Sequence, residues 1–373
     1  MNGIKKMIFI FIIVSVICGY WFYNKNSFLK EKKESPAITL ETFDNIYDGK
    51  YIKFYYDNLG DINLEKIKTD YKLEENVKME GTELDKILSL SEFLSSKLQL
   101  NKKSSYNTED ISTLISKSFS GQRLNAKDYN IIFANFVKAL GFQSRVLELY
   151  QNESKKETTI FSITEIYIPS LSKWMAFDSI NKLFFAKGED PLSAIEVIEQ
   201  GLSVVDLSKE EKNYVRDYGK YFNNLRMQLD NSYFTNKKSN SYIMYLKEDD
   251  EPQLIINTKP LNSTIYTHRR EAFMYAPTSE GEIAKEMQNF KDVIPTLILT
   301  LKNSEKKLPV INGAAFKDSV NVKNYYIRID DGQWGVIDNY FTITLNPRSK
   351  TKIQLSLDGN TVLREIVISN TKG

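Results

Sequence analysis

The chain has 373 residues, 42% of them hydrophobic and 26% charged, with a formal net charge of +2; this is ordinary globular composition and excludes a disordered or fibrous protein. Residues 1–34 carry six lysines against Glu31 and Glu34, a surplus of +4, so residues 35–373 sum to −2, and the electrostatic footprint of a nucleic-acid binder is missing. One cysteine, Cys18, and one histidine, His268, are present, too few for disulfides, a zinc site or most histidine-based acid/base chemistry.

Lys5 and Lys6 precede an uncharged run from Met7 to Tyr23, MIFIFIIVSVICGYWFY, close to the minimum length of a spanning helix, with Trp21 and Tyr23 at the expected interface. No small-x-small cleavage site comes after it, and Ile17 stands before Cys18 where a lipidation motif needs a small residue. Residues 1–23 therefore read as an uncleaved signal anchor. The expected protein is single-pass, partnered with the membrane through this helix and extracytoplasmic in its bulk. Lys25, Lys30, Lys32 and Lys33 beyond the run outnumber the two lysines before it and oppose that orientation on charge alone. Residues 24–36 lack apolar periodicity and read as a solvated tether.

Residues 37–77 mix short apolar runs with Asp, Asn and Gly and suggest only an extension packed on the helical region after them. Leu84, Ile87, Leu88, Ser91, Leu94 and Leu98 recur at helical steps and predict a helix over 83–99. A second helix is predicted over about 108–119, ended by Gly121, and a third over 126–140, capped by Asn125 with Asp128 three residues on and ended by Gly141. Strands are predicted at 145–149, 158–168 and 173–177, the last two joined by a turn at 169–172. Residues 206–240 read as a helical connector, with a tyrosine-rich helix over 208–229. From residue 241 onward, seven short β-rich runs, at 242–246, 253–256, 296–301, 325–329, 340–345, 352–357 and 362–368, suggest an immunoglobulin-like β-sandwich. Trp334 reads as core or rim packing, His268 with Arg269 and Arg270 as a solvated basic cluster, and the acidic run 248–251 as a solvated loop without EF-hand spacing. No cofactor or metal is implied.

Within residues 67–201 the segments TDYKL (69–73), ELDKILSLSEFL (83–94), KDYNIIFANFVKALGFQSRVL (127–147), TEIYI (164–168), KWMAFD (173–178) and PLSAIE (191–196) resemble the transglutaminase-like superfamily. The G-F-x-x-R step from Gly141 to Arg145 and the W-x-x-x-D step from Trp174 to Asp178 are the most specific. The resemblance implies an α+β fold with a papain-like core over residues 37–205, followed by the all-β region 241–373. It also implies where a catalytic triad would stand: the cysteine at Ala126, the histidine at Phe161 and the orienting acid at Asp178. Alanine has no lone pair to attack with and phenylalanine moves no proton, so the expectation is a pseudoenzyme.

Asp178 then either caps a turn or contacts a ligand in the relic cleft, and Phe161 either fills the core or offers a stacking surface for a sugar. The leading expectation is a membrane-anchored binding or scaffolding module, associated through its relatives with envelope carbohydrate. The alternatives are a carboxylate-based glycan-active enzyme using Glu165 and Asp178, and a module whose β-region docks a membrane protein.

Overall fold

The computed structural model describes residues 38–101, 110–151, 160–235, 239–248, 250–256, 259–260, 262–277, 290–304 and 307–371. The 7–23 run and the 24–36 tether lie outside these, and no helix among the described residues is long and apolar enough to cross a membrane. The helices are α1 (Ile62–Asp70), α2 (Leu73–Asn76), α3 (Glu83–Lys97), α4 (Ile111–Phe119), α5 (Ala126–Ala139), α6 (Ala194–Gln200), α7 (Tyr214–Tyr218) and α8 (Glu271–Met274). Strands of four or more residues are β1 (Ile38–Asp44), β2 (Ser144–Tyr150), β3 (Ile160–Ile168), β4 (Lys173–Asp178), β5 (Leu183–Lys187), β6 (Asn224–Gln228), β7 (Tyr242–Tyr245), β8 (Thr264–Thr267), β9 (Thr296–Ser304), β10 (Lys307–Lys317), β11 (Tyr325–Ile329), β12 (Phe341–Thr344), β13 (Ser349–Ser356) and β14 (Arg364–Asn370).

The three amphipathic helices form where their periodicity puts them. Thr82 opens α3 with a capping box to Asp85, Asp110 caps α4 through Thr113, and Asn125 caps α5 through the amide of Asp128. Gly141 ends the last of these in the left-handed region at φ 93°, a conformation that glycine adopts without strain. Helix α5 is the centre of the N-terminal half. It packs on β2 and β3 on one side and on α1 and α3 on the other, so even Asn130, Asn135 and Lys138 are buried. Phe133 stacks on Phe177 of β4 at 5.2 Å and Phe136 on Phe119 of α4 at 5.6 Å, joining the helices to the sheet.

The sheet itself runs in the order β5, β4, β3, β2, β6, β7, β8, β9, β10, with short strands at each end and β12 on β10. All these pairs are antiparallel except β7 with β8. A second sheet runs β1, β14, β13, β11 and the short strand Gly335–Ile337. The chain is thus a mixed α/β protein with large sheets.

Three expectations are corrected here. The helix expected over 208–229 is the short α7, a single 3-10 turn at Gly219–Tyr221, and then β6. Leu225 and Met227 point into the core by strand alternation, and β6 pairs with β2 and β7, so the connector is a central strand. The division into separate bodies at 37–205 and 241–373 gives way for the same reason. One sheet runs through the supposed boundary, and residues from Ile38 onward form one compact unit. Residues 38–44, which carry no clear local pattern, are β1, paired in register from Ile38 with Asn370 to Asp44 with Glu365 at the far end of the sequence.

Lys138 of α5 is fully buried beside Asp57, Nζ to Oδ2 at 2.7 Å, and also donates to the carbonyl of Asn231. Asp57 in turn accepts from the amides of Tyr233 and Phe234. Burial pushes the Lys138 ammonium down, against the raising influence of Asp57. Removing one partner leaves an uncompensated buried charge, so Lys138→Met should destabilise the protein by about 3–5 kcal/mol. The double variant with Asp57→Asn should recover part of that loss, and urea unfolding of the three proteins measures both effects.

Candidate functional site

The N-terminus of α5 and the strands beneath it are where the relic positions were expected to meet. Ala126 is the first helical residue. One turn on, Asn130 shares its face; its Nδ2 donates to the carbonyls of Ala126 and Ser162 at 2.8 and 2.9 Å, and its Oδ1 accepts from the hydroxyls of Thr164 and Ser179, both at 3.0 Å. The side chains of β3 that look at the helix are therefore Ser162, Thr164 and Ile166.

Phe161 looks the other way, because successive strand residues point to opposite faces. It packs with Leu149, Ile163 and Phe185 in the core on the far side of the sheet. There it stacks on Tyr218 at 4.7 Å and meets Tyr221 and Phe222 at 5.6 and 6.2 Å. Asp178 shares that far face. It is fully buried, accepts the amides of Ile180 and Asn181 at 3.0 Å, and accepts Asn181 Nδ2 and the Tyr214 hydroxyl at 2.7 Å. Burial pushes its carboxyl up, against the lowering effect of these bonds. The three relic positions are thus not one constellation: Ala126 lies on the helix side of the sheet, Phe161 and Asp178 on the other, under the 214–222 segment.

Glu165 is likewise closed in. It is 1% exposed, its Oε2 lies 2.6 Å from Arg145 Nη2, and its Oε1 accepts the first amide of α6, at Ala194, at 2.7 Å. Arg145 lies 3.9 Å from the Trp174 ring centroid and donates to the carbonyl of Phe273. The two most specific motif steps, ending on Arg145 and beginning on Trp174, therefore meet in one structural contact. Phe161, Glu165 and Asp178, the candidate ligand contacts, are each taken up by partners inside the protein: Phe161 packs in the core, Asp178 caps a turn, and Glu165 ties β2, β3 and α6 together. His268 faces the carbonyl of Leu246 at 2.9 Å through Nδ1. No group of three or more His, Cys, Asp or Glu side chains able to hold a metal occurs among the described residues.

What does gather on the helix side is a polar row that no sequence motif singles out. Ser162, Glu148 and Arg226 are register neighbours across β3, β2 and β6. The Glu148 carboxylate bridges Lys127, the second residue of α5, at 2.6 Å and Arg226 at 3.0 Å, and it also accepts the Tyr150 hydroxyl at 2.7 Å. Burial opposes its ionisation, but Lys127 and Arg226 outweigh burial and hold its carboxyl below the usual range. Tyr242 of β7, half-buried, covers the Arg226 guanidinium at 3.7 Å. A signal existed only in part: Glu148 and Arg226 interrupt otherwise apolar strands, but nothing in the chain pairs them before β6 is known to be a strand.

No protein-family model and no curated protein matches this chain. Among solved structures, one of a protein from Cytophaga hutchinsonii, described as a candidate cysteine protease, overlaps 34% of this chain and 46% of its own at 13% identity and a TM-score of 0.25. The overlap spans less than half of that protein and is too slight to assign a function.

Two outcomes test this geometry. The folded Glu148 pKa is depressed, so its contribution to stability is present above the unfolded value of about 4.3 and is lost as pH falls through the folded one. Glu148→Gln should therefore flatten the dependence of melting temperature on pH below about pH 4, while lowering it at neutral pH. In a Cys18→Ser background, Ala126→Cys with Ser162→His puts thiol and imidazole on the same side of the sheet. It should alkylate faster at pH 7 than Ala126→Cys with Phe161→His, which also replaces a core ring at a cost of about 2–4 kcal/mol. Equal alkylation rates would contradict the assignment of faces.

Proposed function

We propose that this protein is a non-catalytic binding module with a transglutaminase-like core, anchored by residues 7–23 with its bulk outside the membrane and acting in cell-envelope polysaccharide assembly. The observation that carries the reading is the pairing at the α5 N-terminus. Ala126 and Ser162, whose carbonyls share the Asn130 amide, stand on the side of the sheet where the inherited reaction would need a thiol and an imidazole, and Glu148, the ionisable register neighbour of Ser162, is held in two ion pairs. Asp178, the acid that the resemblance would set beside a histidine, lies on the opposite face of the sheet and is engaged by a turn and by Tyr214. Serine without a base is a weak nucleophile at neutral pH, so binding is the chemistry left to such a surface. The region proposed as immunoglobulin-like is 241–373, whose strands β11, β13 and β14 form the second sheet with β1 and whose strands β9, β10 and β12 continue the main sheet.

The full chain, incubated with peptide amide and glutaminyl substrates, should release no ammonia or amine above the uncatalysed rate. It should be retained by immobilised envelope polysaccharide. Protease treatment of intact cells should remove the bulk of the chain. Turnover that Asp178→Ala abolishes would overturn the non-catalytic reading.

A further inference from the structure

Nine buried side-chain polar atoms lack a hydrogen-bond partner among the described residues, and four of them cluster on the helix side of the sheet around Glu148: Ser162 Oγ, Asn224 Oδ1, and Nε and Nη2 of Arg226. Each such group calls for a partner, whether water, an ion or a ligand. Arg226 is only 5% exposed. Its Nη1 is taken by Glu148 at 3.0 Å and lies 3.5 Å from the Tyr150 hydroxyl. The two nitrogens left over are the side-on edge of the guanidinium, a pair of parallel N–H donors whose natural acceptor is a carboxylate. Asn224 precedes Arg226 by two residues on the same strand and therefore on the same face. Its open atom is an acceptor, which asks for a hydroxyl donor.

We propose that this row binds a polyhydroxy carboxylate, such as the acidic sugar residue of a uronate-containing polysaccharide. The carboxylate would be gripped by the Nε–Nη2 edge of Arg226, and a sugar hydroxyl would donate to Asn224. Glu148 fixes the guanidinium from the opposite edge, and the Tyr242 ring lies over its plane. Lys127 at the start of α5 balances the second oxygen of Glu148, so the Arg226 charge is only partly neutralised and the site keeps a preference for anions. The free edge is shielded from solvent, so binding requires side chains packed over it to move. The inference rests on the binding-module reading and names the ligand class for the same helix terminus.

The test titrates the full chain with sodium D-glucuronate, and with D-glucose, acetate and inorganic phosphate as comparisons, by calorimetry and by shift in melting temperature. Glucuronate should bind, glucose should give no response, and acetate and phosphate should each be markedly weaker. Arg226→Lys keeps the charge but loses the paired edge, and should weaken glucuronate by about tenfold or more. If that variant does not fold, Asn224→Ala serves instead, weakening glucuronate while leaving acetate unchanged. No response to glucuronate, as when a water molecule alone satisfies the edge, overturns the proposal. So does equal binding of phosphate or acetate, or affinity unchanged in both variants. Retention on a neutral envelope polymer with no response to glucuronate overturns this inference alone, whereas amide turnover overturns the non-catalytic reading whatever the sugar does.

Discussion

Helix α5 lies against one face of β2 and β3, and the pleat of β3 then assigns each of its side chains to one of two unlike environments. Residues 162, 164 and 166 meet the helix; residues 161, 163 and 165 meet the core under α6 and the 214–222 segment. A strand covered on both faces has no neutral register, since a slip of one residue would carry Phe161 against Asn130 and Thr164 into an apolar core. The buried amide of Asn130, with two donors and two acceptor bonds in use, locks that choice.

The buried ion pairs extend the same logic to the loops. Arg145 with Glu165 holds two neighbouring strands, the start of α6 and the carbonyl of Phe273 together, and Lys138 with Asp57 pins the 231–234 segment onto α5. Neither pair gains much over an apolar replacement of the same shape, because desolvation offsets most of the attraction. Their effect is selective: each charge accepts one partner arrangement and penalises the others, which suits the fixing of irregular segments that have little apolar surface of their own.

Legibility from sequence tracks how local the determining contacts are. Helices α3, α4 and α5 carry their own periodicity and caps, and β4 and β11 are bounded by turns, so their limits are readable within a few residues. Tyr214, Tyr218, Tyr221 and Phe222 stand at helical spacing and imitate a stripe that continues through residue 229. What breaks it is the pairing of β6 with β2, about 75 residues back, which no local pattern reveals. The site suffers the same way. Phe161, set at the histidine position by the resemblance, lies on the face of β3 away from Ala126, a difference invisible in spacing but decisive in space. Arg226 cannot be grouped with Glu148 while its strand reads as helix. Strand β1 is unreadable because its partner is β14.

That last pairing bears on how the molecule is made. Ile38 sits opposite Asn370 and Asp44 opposite Glu365, so the first described strand closes on the last. During synthesis β1 leaves the ribosome with its edge unpaired and waits for some 320 residues before the strand that covers it emerges, at an entropic penalty that grows only slowly with the length of the loop. The second sheet therefore cannot close before β14 emerges, whereas the pairings of β2 with β3, β3 with β4 and β4 with β5, and their packing on α5, fall within one stretch of about 60 residues and can consolidate early. Closure of the second sheet is thereby registered on its earliest strand: an exposed β1 edge reports that β14 has not yet paired.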